Sequence, residues 1–159
     1  MTRGKSEPFH VRATGELACF TRPEMKVERV SYEVMTPSAA RGILEAILWK
    51  PQISWHIGAI FVLSPIRWAS FRRNEVLKVA SPKAGPIVAD EERTQRNTVA
   101  LRDVDYVIEA WFELTPGAGP DDPVAKYVDM FRRRLSKGQH HHAPYLGLPG
   151  VRRPCRERA

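Results

Sequence analysis

Three consecutive histidines, His140-His141-His142, are the residues here whose side chains exchange protons near neutral pH and stand together. An imidazole at that place could act as base or acid. Adjacent residues on an extended chain point to opposite faces, so a closed structural metal site is not expected from the run. His10 and His56 fall within strand patterns and read as core or surface residues. Cys19 and Cys155 are too few for a disulfide framework, and neither has a Cys or His at zinc-like spacing. The larger chemical signal is cationic. Lys and Arg number 25 against 18 Asp and Glu, a net charge of +7 that favours a polyanionic partner. The charges gather at Arg72-Arg73, Arg93, Arg96, Lys126, Arg132-Arg133-Arg134 and Lys137, then at Arg152, Arg153, Arg156 and Arg158, although any single pair reads more readily as a solvated face.

The elements that must position these groups follow from periodicity. Phe9, Val11 and Ala13 alternate with His10, Arg12 and Thr14, which predicts a half-buried strand to Phe20 with a bulge or bend at Gly15. Val27 to Val34 is a short edge strand or an extended connection. Thr36 caps a helix with Pro37 at its first position, and Ala39, Ala40, Ile43, Leu44, Ile47 and Leu48 continue it to about Trp49, where Pro51 stops it. Ile53 to Trp68 reads as one strand that bends before Arg72-Arg73. Residues 78 to 98 lack a period and read as a mobile loop.

Val104, Tyr106, Ile108, Ala110, Phe112 and Leu114 make the clearest strand. A second helix opens at Asp121 or Asp122 with Pro123, carries Val124, Tyr127, Val128, Phe131 and Leu135 on its apolar side, and ends at Gly138. A last strand is expected at Ala143-Pro144-Tyr145-Leu146-Gly147. The order strand, helix, strand, strand, helix, strand predicts an α+β, ferredoxin-like (RRM-like) βαββαβ fold, with two helices on one face of an antiparallel sheet.

A chain of 159 residues suits one domain. No apolar run approaches the roughly 18 residues that cross a bilayer, and Met1-Thr2-Arg3-Gly4-Lys5 lacks the apolar core of a signal peptide, so a cytoplasmic location is expected. There is no internal repeat.

Several runs, in order and at their spacings, resemble the Cas-five family of type I-C CRISPR systems. They are Ala18-Cys19-Phe20-Thr21-Arg22-Pro23-Glu24, the stretch Thr36 to Ile47, Trp49-Lys50-Pro51, Arg72-Arg73-Asn74-Glu75-Val76, Gln95-Arg96-Asn97, Asp105 to Ala110, Met130-Phe131-Arg132-Arg133-Arg134, Lys137-Gly138-Gln139 and Pro144-Tyr145-Leu146-Gly147. The resemblance implies a domain that recognises the repeat hairpin of precursor CRISPR RNA. It implies cleavage at the hairpin's 3′ base without metal or other cofactor, and retention on the 5′ handle beside other type I-C interference-complex subunits. Within these motifs Arg22, Lys50, Arg72, Arg73, Arg96, Arg133, Lys137, Gly138 and Gln139 become candidate RNA contacts. The implied reaction is attack of a ribose 2′-OH on its adjacent phosphate, which calls for a base, an acid and a cation for the phosphorane charge.

The resemblance assigns these roles to an aromatic residue ending helix one and a Lys-His pair early in helix two. Leu48 stands in the first place and Lys126-Tyr127 in the second. Lys126 keeps the cation, whereas a phenol with an ordinary pKa of about 10 is a poor base at neutral pH. His140 and His141, in a region resembling the family's glycine-rich RNA-contacting loop, are the candidate replacements. After Gly147 the resemblance calls for Cys-Arg-Glu-Phe and a β-rich extension. A one-base shift within codons for Leu148 to Val151 would restore Cys-Arg-Glu, so 1–147 is expected as the RNA-binding domain and 148–159 as a frameshifted tail. Loss of the extension would leave a sheet edge open to self-association.

Overall fold

The computed structural model describes residues 4–83, 85–148 and the backbone of 156–157. Strand β1 (Phe9–Ala18) turns Phe9, Val11 and Ala13 into the core, as its alternation requires. Then come β2 (Arg29–Val30), α1 (Pro37–Ile47), β3 (Ile53–Val62), β4 (Trp68–Val76), β5 (Arg93–Leu114), α2 (Val124–Ser136) and β6 (Arg156–Glu157). The second half of β5 lies between β1, paired antiparallel from Phe9↔Ala110 to Ala18↔Leu101, and β3, paired antiparallel from Ile53↔Leu114 to Val62↔Tyr106. With β6 on the outer side of β1 at Val11 and Arg12, the order β6-β1-β5-β3 is the ferredoxin-like arrangement. The first half of β5 extends beyond this sheet, pairing with β4 and, in parallel, with β2, so the whole sheet is mixed and not purely antiparallel.

One core holds both helices against one sheet face. Ile43, Leu44 and Ile47 of α1 and Tyr127, Phe131 and Leu135 of α2 meet Phe9, Val11, Trp55, Ile108 and Phe112. Its centre is aromatic, with the Phe131 ring 4.9 Å from Phe9 and 4.8 Å from Trp55. Helix α1 starts where Thr36 Oγ1 accepts the Ala39 N–H at 3.3 Å. Its C-terminal carbonyls are met from elsewhere in the fold. Ala46 accepts from the His141 amide at 2.8 Å, Ile47 from Arg134 Nη1 at 2.9 Å, and Leu48 from Trp55 Nε1 at 2.9 Å. Helix α2 carries Arg133 and Arg134 in its last turn, where positive charge suits the helix dipole, and is followed by Gly138 at φ +63°.

Five expectations are corrected. Strand β1 runs through Gly15 in continuous register with Val104. The glycine permits a close approach instead of a bend, since a Cβ there would sit 2.6 Å from a Leu146 methyl. The irregularity lies in β3, between Ile57 and Ala59. The expected 53–68 strand ends at Val62, and a segment holding Pro65 leads to β4, which begins at Trp68. Helix α1 ends at Ile47, because Leu48 is already extended at φ −142°, ψ 105°.

The expected 78–98 loop is shorter, since β5 begins at Arg93 and Leu77 N–H closes the hairpin onto Glu92 O at 3.0 Å. No strand forms at 143–147. Pro144 has no amide proton to give, Gly147 turns at φ +79°, and Leu146 instead docks its carbonyl on the Cys19 N–H at 2.8 Å. The sixth strand falls at 156–157, inside the expected tail, while 149–155 and 158–159 lie outside the described residues. Among the described residues no helix is long and apolar enough to cross a membrane.

Candidate functional site

The loop that leads into α2 ends in Asp122, whose carboxylate organises the start of that helix. Asp122 Oδ1 accepts from Lys126 Nζ at 2.7 Å and from Tyr127 Oη at 2.8 Å, while Oδ2 accepts the Gly119 N–H at 3.1 Å. These bonds, with the Lys126 hydrogen bond foremost, lower the Asp122 pKa from its ordinary 3.8 to about 2. The same carboxylate raises the pKa of Lys126, chiefly through the hydrogen bond, so the half-exposed ammonium stays charged across the physiological range. Burial, then the bond to Asp122, raises Tyr127 as well. The Tyr127 ring is buried in the core and its hydroxyl donates to Asp122, so the phenol packs the core and anchors that carboxylate and is not presented to solvent as a base. Leu48 is fully buried and offers a hydrocarbon where a polar aromatic group was called for.

His140 and His141 are exposed in the loop beyond α2, and the His141 backbone is pinned to the end of α1. The His141 and His142 rings meet edge-on at 5.6 Å. From Lys126 to Ser136 the helix climbs about 15 Å at ~1.5 Å per residue. The four candidate catalytic residues are therefore split between the start of α2 (Lys126, Tyr127) and the loop past its end (His140, His141). Among the described residues no group of three or more His, Cys, Asp or Glu side chains could hold a metal ion.

The basic candidates divide into committed and available cations. Arg73 donates to Thr98 Oγ1 at 2.6 Å and pairs with Glu75, and Arg96 pairs with the same Glu75 at 3.2 Å. These two arginines cross-link β4 to β5 and are structural to that extent. Arg72, on the opposite side of β4, is exposed. Arg22 is half-buried, with its guanidinium 5.4 Å above the Tyr32 ring and Nε donating to Ser31 O at 3.3 Å. Lys50 sits in the turn after α1, where its carbonyl takes the Ile53 N–H at 3.1 Å. Arg133, Lys137, Gly138 and Gln139 are exposed at the end of α2, and the Gln139 N–H closes onto Arg134 O at 2.8 Å. Two carboxylates escaped the sequence reading as organisers. Asp122 stands four residues before Lys126, a spacing that signals a helical ion pair, whereas Glu75 meets Arg96 only through strand pairing and leaves no local trace.

A sequence profile described as "CRISPR-associated protein (Cas_Cas5)", of the Cas5d type, matches residues 10–153. The chain is 51% identical over 146 residues to the CRISPR pre-crRNA endoribonuclease Cas5d of Mannheimia succiniciproducens, an alignment covering 84% of this chain and 65% of that protein. It is 50% identical over 137 residues to the protein of the same name from Thermus thermophilus, covering 86% and 58%. The chain thus spans about three-fifths of the length of these relatives. Among solved structures it resembles a CRISPR-associated protein with a TM-score of 0.73 at 24% identity, covering all of this chain and 70% of the other. It also resembles a chain of a CRISPR RNA-guided surveillance complex, with a TM-score of 0.60 at 15% identity, covering 93% and 61%. Similarity at these identities speaks for a shared fold, and the matched profile and the half-identical relatives decide the lineage: the chain belongs to the Cas5d family of CRISPR-associated proteins.

Proposed function

We propose that this chain binds the repeat hairpin of precursor CRISPR RNA, cleaves it without metal, and remains on the 5′ handle as a subunit of a type I-C interference complex. The observation that carries this reading is the half-identity, over most of this chain, to two proteins named as pre-crRNA endoribonucleases. In this reading Lys126 supplies the permanent cation that stabilises a phosphorane, because its pairing with Asp122 keeps it protonated. Arg133 and Lys137 meet phosphate at the far end of α2, and His140 or His141 exchanges the proton. Arg72 and Lys50 add further phosphate contacts.

A second reading, an RNA-binding subunit with impaired cleavage, is favoured by the burial of Leu48 and Tyr127 at two places where the family chemistry calls for reactive groups. Incubation with cognate repeat RNA in EDTA separates the two. One cut, lost in Lys126→Ala, supports the nuclease; tight binding with no cut leaves the second reading; no preference for the repeat over an unrelated hairpin refutes both.

A further inference from the structure

Between the start of α1, the end of β1 and the 142–147 loop lies a cavity of about 610 Å³ that none of the roles above uses. Its wall is mixed in a particular way. Tyr32 and Tyr145, both exposed, supply aromatic faces; Thr36 and Ser38 supply hydroxyls; His142 supplies a ring nitrogen; and no carboxylate lines it. The floor includes Gly42, where an added Cβ would meet nothing within 4 Å, so the helix face is open. Arg22, between the lining residues Thr21 and Pro23, holds its guanidinium 5.4 Å from the ring of Tyr32, itself a lining residue. The outer wall is held in place by the Cys19–Leu146 hydrogen bond and by the left-handed turn at Gly147.

We propose that this cavity receives one unpaired nucleotide of the bound RNA, its base against a tyrosine ring and its phosphate toward Arg22. The volume lies within the range of small-molecule sites. Aromatic rings beside hydroxyl donors and acceptors, with a cation and no acid, are what a splayed-out base with its sugar-phosphate requires. This deepens the RNA-binding reading and rests on it.

The test measures affinity for end-labelled repeat RNA by fluorescence anisotropy at one salt concentration, for the wild-type chain, Tyr145→Ala and Gly42→Leu. Stacking on an aromatic ring predicts that Tyr145→Ala weakens binding by about 5- to 150-fold. RNAs carrying one abasic site at each unpaired position then identify a single position whose base matters to the wild type and no longer matters to Tyr145→Ala. Gly42→Leu fills the cavity from an exposed helical position that has room for a side chain, and its loss of affinity with an unchanged circular-dichroism spectrum supports the same occupant. Wild-type affinity in both variants overturns the proposal while leaving RNA binding intact, and assigns the cavity to some other occupant, such as a peptide segment of a neighbouring subunit. A loss without any coupled abasic position also overturns it. A wild-type chain that does not bind the repeat refutes the proposed function, and this inference with it.

Discussion

Replacing Gly147 by alanine tests whether the 143–147 loop is positioned by contact with the end of β1. Gly147 lies at φ +79°, a region that costs an L-residue about 1–2 kcal/mol. A Cβ there would also fall 2.7 Å from the Cys19 carbonyl carbon and closer still to its oxygen, against ordinary contact from 3.4 Å. The backbone must therefore withdraw by on the order of 1 Å to restore normal separation. That movement breaks or stretches the Cys19 N–H to Leu146 O bond, now 2.8 Å, whose net worth is about 0.5–1.5 kcal/mol. It also loosens Leu146 and Leu148, both largely buried. Together these effects predict a loss of about 2–4 kcal/mol.

Gly138→Ala is the matched control. It shares the left-handed conformation at φ +63° but has nothing within 4 Å of its added Cβ, so only the dihedral cost, about 1–2 kcal/mol, applies. Urea unfolding followed by tryptophan fluorescence reads both variants. With a slope of about 2 kcal/mol per molar urea, Gly147→Ala should lower the midpoint by roughly 1–2 M, and by more than Gly138→Ala does. Equal shifts for the two variants, or a Gly147→Ala midpoint at the wild-type value, would refute the steric argument.

Gly42→Ala, at an exposed mid-helix position with open space around it, should stabilise the chain by about 1 kcal/mol in the same assay, and a destabilised variant would show that the open face is needed for folding. Phe131→Ala should cost about 3–5 kcal/mol, because it empties the ring-packed centre between Phe9 and Trp55; a loss under 1 kcal/mol would mean that the core collapses around the gap. The Asp122 carboxylate is more acidic folded than unfolded, so its contribution is present above the ordinary pKa of 3.8 and is lost as pH falls toward about 2. Thermal melts across pH 6 to 2 should therefore show Asp122→Asn least stable relative to wild type at the upper end and converging with it below pH 3, and a gap that does not change with pH would rule the linkage out.

Much of the ferredoxin-like half was legible in the chain because its elements bury one side. The Thr36-Pro37 start, the stripe from Ala40 to Ile47 and the alternation from Val104 to Phe112 all report a single apolar core. What escaped has a common physical cause. The first half of β5 pairs with β4 through Arg73, Glu75, Thr98 and Arg96, so hydrogen bonds and ion pairs, and no apolar alternation, define it. The two-residue β6 is too short to show any period. At the site, the family resemblance aligned Lys126 and Tyr127 with a reactive pair, yet successive helical positions face different directions. One residue therefore faces solvent while the other fills the core, and only the spacing of Asp122 to Lys126 announced the pairing that joins them.

In the described sheet, β2, β3 and β4 take their strand partner from β5, and β1 pairs with β5 and β6, both of which come after it in the chain. During synthesis at about 5–20 residues per second, β1 waits roughly 5–20 s before Leu114 has been made, with no partner to cover its edges. Helix α1 can form meanwhile, but its apolar stripe has no completed sheet to rest on. The nascent chain is thus most vulnerable to aggregation or to chaperone capture over that interval. Substitutions that slow the emergence or pairing of β5 should reduce the yield of folded protein more than their effect on the finished structure would suggest.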